Sequence, residues 1–202
     1  MKARIIATAA VIVAVSLFAG CKGKLKTFEE PHGLYSVSLP GSPVEDFVRQ
    51  EAGDGRVLML YTYKASSGLG SSGIQYRVSH GSFEYSGEAE PPTRKEIEKA
   101  VIEYLTSTHG DSIDVDKKLS YEGFTGRHVL ISGRGAKTAA RLYTKVIPEA
   151  NFVYLMEMTF PPGEYVQSDV DAFLDSFEFG PEAGKPPKVI DEEKIPDWLK
   201  SK

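Results

Sequence analysis

The chain is poor in cysteine and tryptophan and has no excess of positive charge. Cys21 is the only cysteine and Trp198 the only tryptophan among 202 residues. A single cysteine excludes an intramolecular disulfide and therefore a disulfide-stabilised scaffold. The formal net charge is −4, which argues against nucleic acid as a partner because such binding needs clustered Lys and Arg.

The long apolar run of this sequence lies at its N-terminus. Residues from Ile5 to Gly20 are apolar or small, and Lys2 and Arg4 precede them. A charged start, a short apolar stretch and a small-residue end are the layout of a secretory signal peptide. The run is shorter than the roughly 20 apolar residues that span a bilayer. An uncleaved membrane anchor and a plain signal peptide are the alternatives.

The end of this run, Leu17-Phe18-Ala19-Gly20-Cys21, resembles the bacterial lipobox. The resemblance implies that Cys21 receives a diacylglycerol group and becomes the first residue of the mature protein. Phe18 differs from the usual Leu or Val at its position. Lys22, in place of Asp, resembles the outer-membrane class of lipoproteins. We therefore expect the protein at the cell envelope, facing away from the cytoplasm, on the periplasmic face of the outer membrane where two membranes are present.

Composition divides the chain into four segments. Residues 1–20 are the expected signal peptide, 21–27 a short basic tether, 28–179 a single domain, and 180–202 a tail rich in Pro and charge. The domain is of ordinary size, so it needs no metal or disulfide to hold its core together.

An apolar segment lies near the end of the polar tail. Burying an isolated tryptophan requires a surface, so the segment either folds back on its own domain, docks on another protein, or has no role. The candidate docking residues are Ile195, Trp198 and Leu199.

Apolar periodicity predicts strands and two helices. Thr93 and Glu96 form a capping box that opens the first helix, and Gly110 stops it. Ser168 is the expected cap of the second helix, whose apolar face carries Val170, Phe173, Leu174 and Phe177. Strands are predicted at residues 35–39, 57–63, 74–78, 119–121, 127–132, 139–147 and 152–160, the last four as an antiparallel meander.

These elements predict an α+β fold: an antiparallel twisted sheet, an amphipathic helix after the third strand and a second helix that closes the domain. The opening segment 33–41, the Arg141-Leu142-Tyr143 strand and the closing segment 173–179 resemble the PsbP/Mog1-like group of small domains. That resemblance implies a non-catalytic accessory role. The expected partners are the membrane, through the lipid on Cys21, and a protein.

The motifs that carry chemistry are weak. The glycine pattern from Gly68 to Gly73 is followed by a strand pattern instead of the helix that a dinucleotide site needs, which favours a hairpin loop. The aspartates Asp111, Asp114 and Asp116 indicate a solvated loop, since an EF-hand would need a glycine at its sixth position. The histidines are His32, His80, His109 and His128, and no two of them have the spacing of a helical zinc site.

We therefore expect no metal, no cofactor and no enzymatic activity. The alternative is an extracytoplasmic hydrolase whose site assembles in space. The strand aromatics are the feature most able to serve binding, either as an ordinary core or as an apolar groove between sheet and helix. They are Tyr61, Tyr63, Tyr76, Tyr143 and Tyr154.

Overall fold

The computed structural model describes residues 24–51, 56–68, 73–84, 91–133, 135–147 and 150–185. Cys21, Ile195, Trp198 and Leu199 lie outside the described residues. The lipid anchor and the docking segment therefore stay predictions.

The described chain forms ten strands and two helices, and strands dominate. They follow in the order β1 (Leu25–Glu29), β2 (Tyr35–Pro40), β3 (Val44–Glu51), β4 (Val57–Ser67), β5 (Ile74–Glu84), α1 (Arg94–His109), β6 (Ser112–Tyr121), β7 (Phe124–Gly133), β8 (Ala136–Ile147), β9 (Ala150–Phe160), α2 (Gln167–Leu174) and β10 (Glu178–Phe179).

These strands build two antiparallel sheets. The larger has seven strands in the order β3-β4-β5-β9-β8-β7-β6, and the smaller has three in the order β1-β2-β10. The predicted meander from β6 to β9 is confirmed by its successive pairings. The hairpin prediction for the glycine-rich segment is also confirmed, because β4 and β5 pair antiparallel from Ser67 and Ile74 onward.

The predicted α+β class is wrong. The molecule is a β-rich fold of two antiparallel sheets, and the first helix follows the fifth strand instead of the third. Three strands were not predicted: β1, β3 and β10, the last of which has only two residues. The other two were missed for a physical reason. Strand β1 lies partly in the segment assigned to the tether, and β3 is an edge strand exposed on almost every position, so neither shows apolar alternation.

A separate apolar core packs against each face of the larger sheet. On one face, α1 contributes Ile97, Val101 and Leu105. On the other face, the smaller sheet and α2 cover the sheet with Val37, Leu39 and Phe173, among others. Strand β9 is central and is buried on both faces, which explains its nearly continuous apolar sequence.

The helix ends test two capping predictions. The capping box is confirmed: the Glu96 amide donates to the Thr93 hydroxyl, and the Glu96 carboxylate accepts from the Thr93 amide at 2.8 Å. The predicted Ser168 cap is wrong, because Val166 occupies the cap position and makes no side-chain hydrogen bond there.

Packed structure continues past Phe179. The amides of Gly180 and Glu182 donate to the carbonyls of Leu34 and Gly33 at 2.9 and 3.2 Å. The Gly184 amide donates to the buried phenol oxygen of Tyr154 at 3.1 Å. Residues 180–185 are therefore hydrogen-bonded to the β1–β2 loop and to β9.

Candidate functional site

A transverse row of aromatic residues crosses the larger sheet. Phe47 of β3 is the register partner of Tyr61, Tyr61 of His80, His80 of Tyr154, and Tyr154 of Tyr143. Cross-strand neighbours on one face lie close enough for their rings to interact. The rings of Phe47 and Tyr61 are 5.1 Å apart, and those of Tyr61 and His80 are stacked at 5.7 Å.

The two ends of this row have different surroundings. Tyr143 and Tyr154 are buried among Tyr35, Phe177 and Phe179. At the other end Phe47 and Tyr61 are 43% and 58% exposed. The smaller sheet thus covers one half of the row and leaves the other half open to solvent.

An open cleft of about 600 Å³ lies where that cover ends. Its aromatic lining comes from β4, β5 and β9, and its outer lining from the β1–β2 loop and the end of the described chain. The lining includes Leu34, Tyr61, His80, Glu84, Phe152, Tyr154 and Lys185.

A break in strand pairing shapes the floor of the cleft. The β5–β9 ladder runs as far as Gly81 and Val153. Beyond it, the Asn151 side chain accepts from the Phe83 amide at 2.6 Å and donates to the Phe83 carbonyl at 2.9 Å. This amide bridge holds the ends of β5 and β9 together without a regular ladder.

Gly81 lets β4 and β5 approach closely beside the cleft. A Cβ atom at this position would stand 1.8 Å from the Met59 carbonyl oxygen. Real side chains do not tolerate that distance, so the local geometry depends on glycine.

His80 presents a flat ring between two tyrosines. Its Nδ1 lies 3.4 Å from the Tyr35 hydroxyl, and its ring stacks on Tyr61. Burial lowers the pKa of His80 below its usual value of 6.5, against an opposing effect of the Glu30 carboxylate. The imidazole is therefore neutral at pH 7 and acts as an aromatic surface with one hydrogen-bonding edge.

A buried carboxylate lies next to this aromatic group. Glu30 is 2% exposed, and its Oε2 accepts from the amides of His32 and Leu34 at 2.8 and 3.2 Å. Its Oε1 has no hydrogen-bond partner among the described residues. Burial, followed by the charge of Glu30, raises the pKa of Tyr35 and keeps its hydroxyl protonated. The Glu30 contacts fix the β1–β2 loop that supplies Leu34 to the cleft.

A second polar contact lies on the opposite face, beneath the end of α1. His109 Nε2 and Glu157 Oε1 are 2.6 Å apart, and both side chains are buried. Burial, with a smaller effect of Glu157, raises the pKa of Tyr104 to about 12. This pair ties α1 to β9 and is remote from the aromatic cleft.

The remaining chemical motifs do not assemble a site in the described structure. Asp114 and Asp116 lie in β6, so the loop predicted there is wrong: Asp114 accepts from Ser132, and Asp116 pairs with Arg127. Among the described residues no group of three His, Cys, Asp or Glu side chains is close enough to hold a metal ion. No helix in the described part of the chain is long and apolar enough to cross a membrane.

Of the five predicted strand tyrosines, Tyr61 and Tyr154 line the cleft. The other three are core residues: Tyr63, Tyr76 and Tyr143. The groove was expected between sheet and helix, but the cleft lies at an uncovered corner of the sheet. Sequence reasoning missed His80, Leu34 and Lys185, because only strand register and chain return bring them together.

Comparison with known proteins adds little to this geometry. No family model and no curated protein matches the chain. A solved structure from Bacteroides thetaiotaomicron is similar at 15% sequence identity and a TM-score of 0.35, over 76% of this chain and 48% of that one. The chain thus spans about half the length of that protein, and a likeness of this degree carries no argument.

Proposed function

We propose that this protein is a lipid-anchored, non-enzymatic binding domain of the cell envelope, and that the aromatic cleft is its binding site. The observation that carries the proposal is the exposed Tyr61 ring, stacked on a neutral His80 at the mouth of a cleft of about 600 Å³. Ligand sites have this size and this mixture of many apolar surfaces with few polar groups.

The position of the cleft agrees with attachment through Cys21. Strand β1 begins at Leu25, only four positions after that cysteine, and its five residues extend for about 17 Å. The loop at the far end of β1 supplies Leu34 to the cleft. A lipid on Cys21 would therefore hold the opposite end of the β1–β2 hairpin near the membrane and leave the cleft accessible.

The contacts of His80 support binding over hydrolysis. Its Nδ1 faces the Tyr35 hydroxyl, whose proton burial retains. A serine hydrolase needs a histidine bonded to its nucleophile, whereas the Nδ1 edge of His80 faces the Tyr35 hydroxyl.

A fluorescent probe that binds apolar surfaces tests the cleft. We expect anilinonaphthalene sulfonate to bind the chain that lacks residues 1–20 and carries Cys21→Ser and Trp198→Ala, so that the C-terminal tryptophan does not compete for the cleft. In that chain Tyr61→Ala should weaken binding about tenfold or more, because the exposed ring is lost. Tyr121→Ala is the matched control, since Tyr121 is 38% exposed on β6 at the far edge of the same sheet. Equal affinities for the two variants would contradict the assignment of the site.

The anchor has its own test. Cys21→Ser in the full chain should abolish labelling by a fatty-acid probe and release the protein from the membrane fraction. A wild-type chain that stays in the membrane without label would support an uncleaved N-terminal helix instead.

A further inference from the structure

The described chain ends at the rim of the aromatic cleft. Lys185 is its last residue and lines the cleft. One position earlier, the buried amide of Gly184 is held on the hydroxyl of Tyr154, which is part of the lining. The C-terminal residues therefore start from a fixed point beside the binding surface.

The distance along the chain allows the apolar segment 195–199 to return to this surface. Nine residues, 186–194, separate Lys185 from Ile195. They extend for at most about 30 Å, which is enough for a return to a cleft whose rim includes Lys185. A linker of this length gives a tethered segment an effective concentration of the order of 1 mM.

Such a tether makes modest affinity sufficient. A segment that binds with a dissociation constant of about 0.1 mM, at an effective concentration of about 1 mM, occupies its site about 90% of the time. A tryptophan is the side chain best suited to supply such affinity, since an aromatic side chain buries about 150–250 Å².

The chemistry of the segment matches that of the cleft. Trp198 is flanked by Ile195 and Leu199, and the cleft offers the exposed ring of Tyr61 together with Phe152 and Tyr154. The carboxylate of Glu84, which also lines the cleft, is an acceptor suited to an indole N–H. Large aromatics are preferred where one end of the ring is apolar and the other meets a polar group.

We infer that segment 195–199 occupies the cleft of its own molecule, with Trp198 against Tyr61, and that a ligand must displace it. This inference rests on the proposed binding cleft. It makes the C-terminus of the same chain a competitor of any ligand for the cleft.

The single tryptophan makes the inference directly measurable. In the Cys21→Ser chain lacking residues 1–20, Trp198 emission should lie at short wavelength, and acrylamide should quench it several-fold less than it quenches free tryptophan amide. Tyr61→Ala should shift the emission to that of exposed tryptophan, whereas Tyr121→Ala should leave it unchanged. Protection should not depend on protein concentration.

Four other results would overturn the inference, and they separate it from the proposed function. If Trp198 emits as an exposed tryptophan while probe binding depends on Tyr61, the tail does not occupy the cleft, but the proposed binding site stands. If Trp198 emits as an exposed tryptophan and probe binding does not depend on Tyr61, both the inference and the proposed binding site are wrong. Protection that grows with protein concentration assigns the cleft to the tail of a second copy, and protection unaffected by Tyr61→Ala places Trp198 elsewhere.

Discussion

The backbone amide of Gly184 donates a hydrogen bond to the phenol oxygen of Tyr154 across 3.1 Å of buried structure. This bond joins a segment assigned to the polar tail to the central strand β9. It follows that the folded domain extends to Lys185, although the composition changes at Gly180. The tail and the cleft are thereby connected through one residue, Tyr154.

Two truncations test where the domain ends. A chain ending at Phe179 should lose about 1–3 kcal/mol of unfolding free energy, because Tyr154 loses a buried hydrogen-bond partner. A chain ending at Lys185 should stay much closer to the full-length protein. Urea denaturation measures both, and equal stability of the two truncated chains would show that the 180–185 contacts contribute nothing.

The closing helix provides a packing test. Phe173 is fully buried, and its ring packs edge-to-face with the Tyr76 ring at a centroid distance of 5.3 Å. Phe173→Ala should cost about 3–5 kcal/mol through lost transfer energy and a cavity. Val166→Ala, at an exposed position before the helix, should change stability by less than about 0.5 kcal/mol. A loss below about 1 kcal/mol for Phe173→Ala would mean that α2 does not pack as described.

The buried pair beneath α1 is suited to a double-mutant cycle. Glu157→Leu alone should cost about 1–3 kcal/mol, since a buried polar partner, His109, is left unpaired. Glu157→Leu combined with His109→Leu should cost less than the sum of the two single changes. Additive costs would show that the 2.6 Å contact has no coupling energy.

The lowered pKa values of two histidines predict how the free energy of unfolding changes at acid pH. Burial lowers the pKa of His80 and of His128 below 6.5, and the charges of Arg141 and Lys117 lower that of His128 further. The unfolded chain then binds more protons than the folded chain as the pH falls below about 6.5, so stability should fall with pH in that range. His80→Phe and His128→Asn should each flatten the fall between pH 7 and 5.5. An unchanged slope in both variants would contradict neutral, buried imidazoles.

Sequence reasoning located the elements whose pattern is dictated by burial. The β9 residues from Phe152 to Phe160 and the α1 capping box were found because two-sided burial and helix capping leave local patterns. Strand β3 was not found, because an exposed edge strand exists through its pairing with β4 and carries no apolar alternation. The predicted fold class was wrong for a related reason: the strands that were not predicted, β1, β3 and β10, belong to both sheets.

The site was partly visible in the sequence. Tyr61 stood out as a strand aromatic, but nothing local distinguishes this exposed residue from Tyr63, Tyr76 and Tyr154, which are buried. Their difference arises from which part of the sheet the β1–β2 hairpin covers. His80 joins them through register alone, as the partner of both Tyr61 and Tyr154.

A photo-crosslink at Tyr61 in the cell envelope tests the central claim most directly. With benzoylphenylalanine at position 61 of the full chain, irradiation should give a covalent adduct, either with a bound molecule or with residues 195–199 of the same chain. The same probe at position 121 should give no comparable adduct. Absence of any adduct at position 61 above the level at position 121 would contradict the account of the cleft as an occupied binding site.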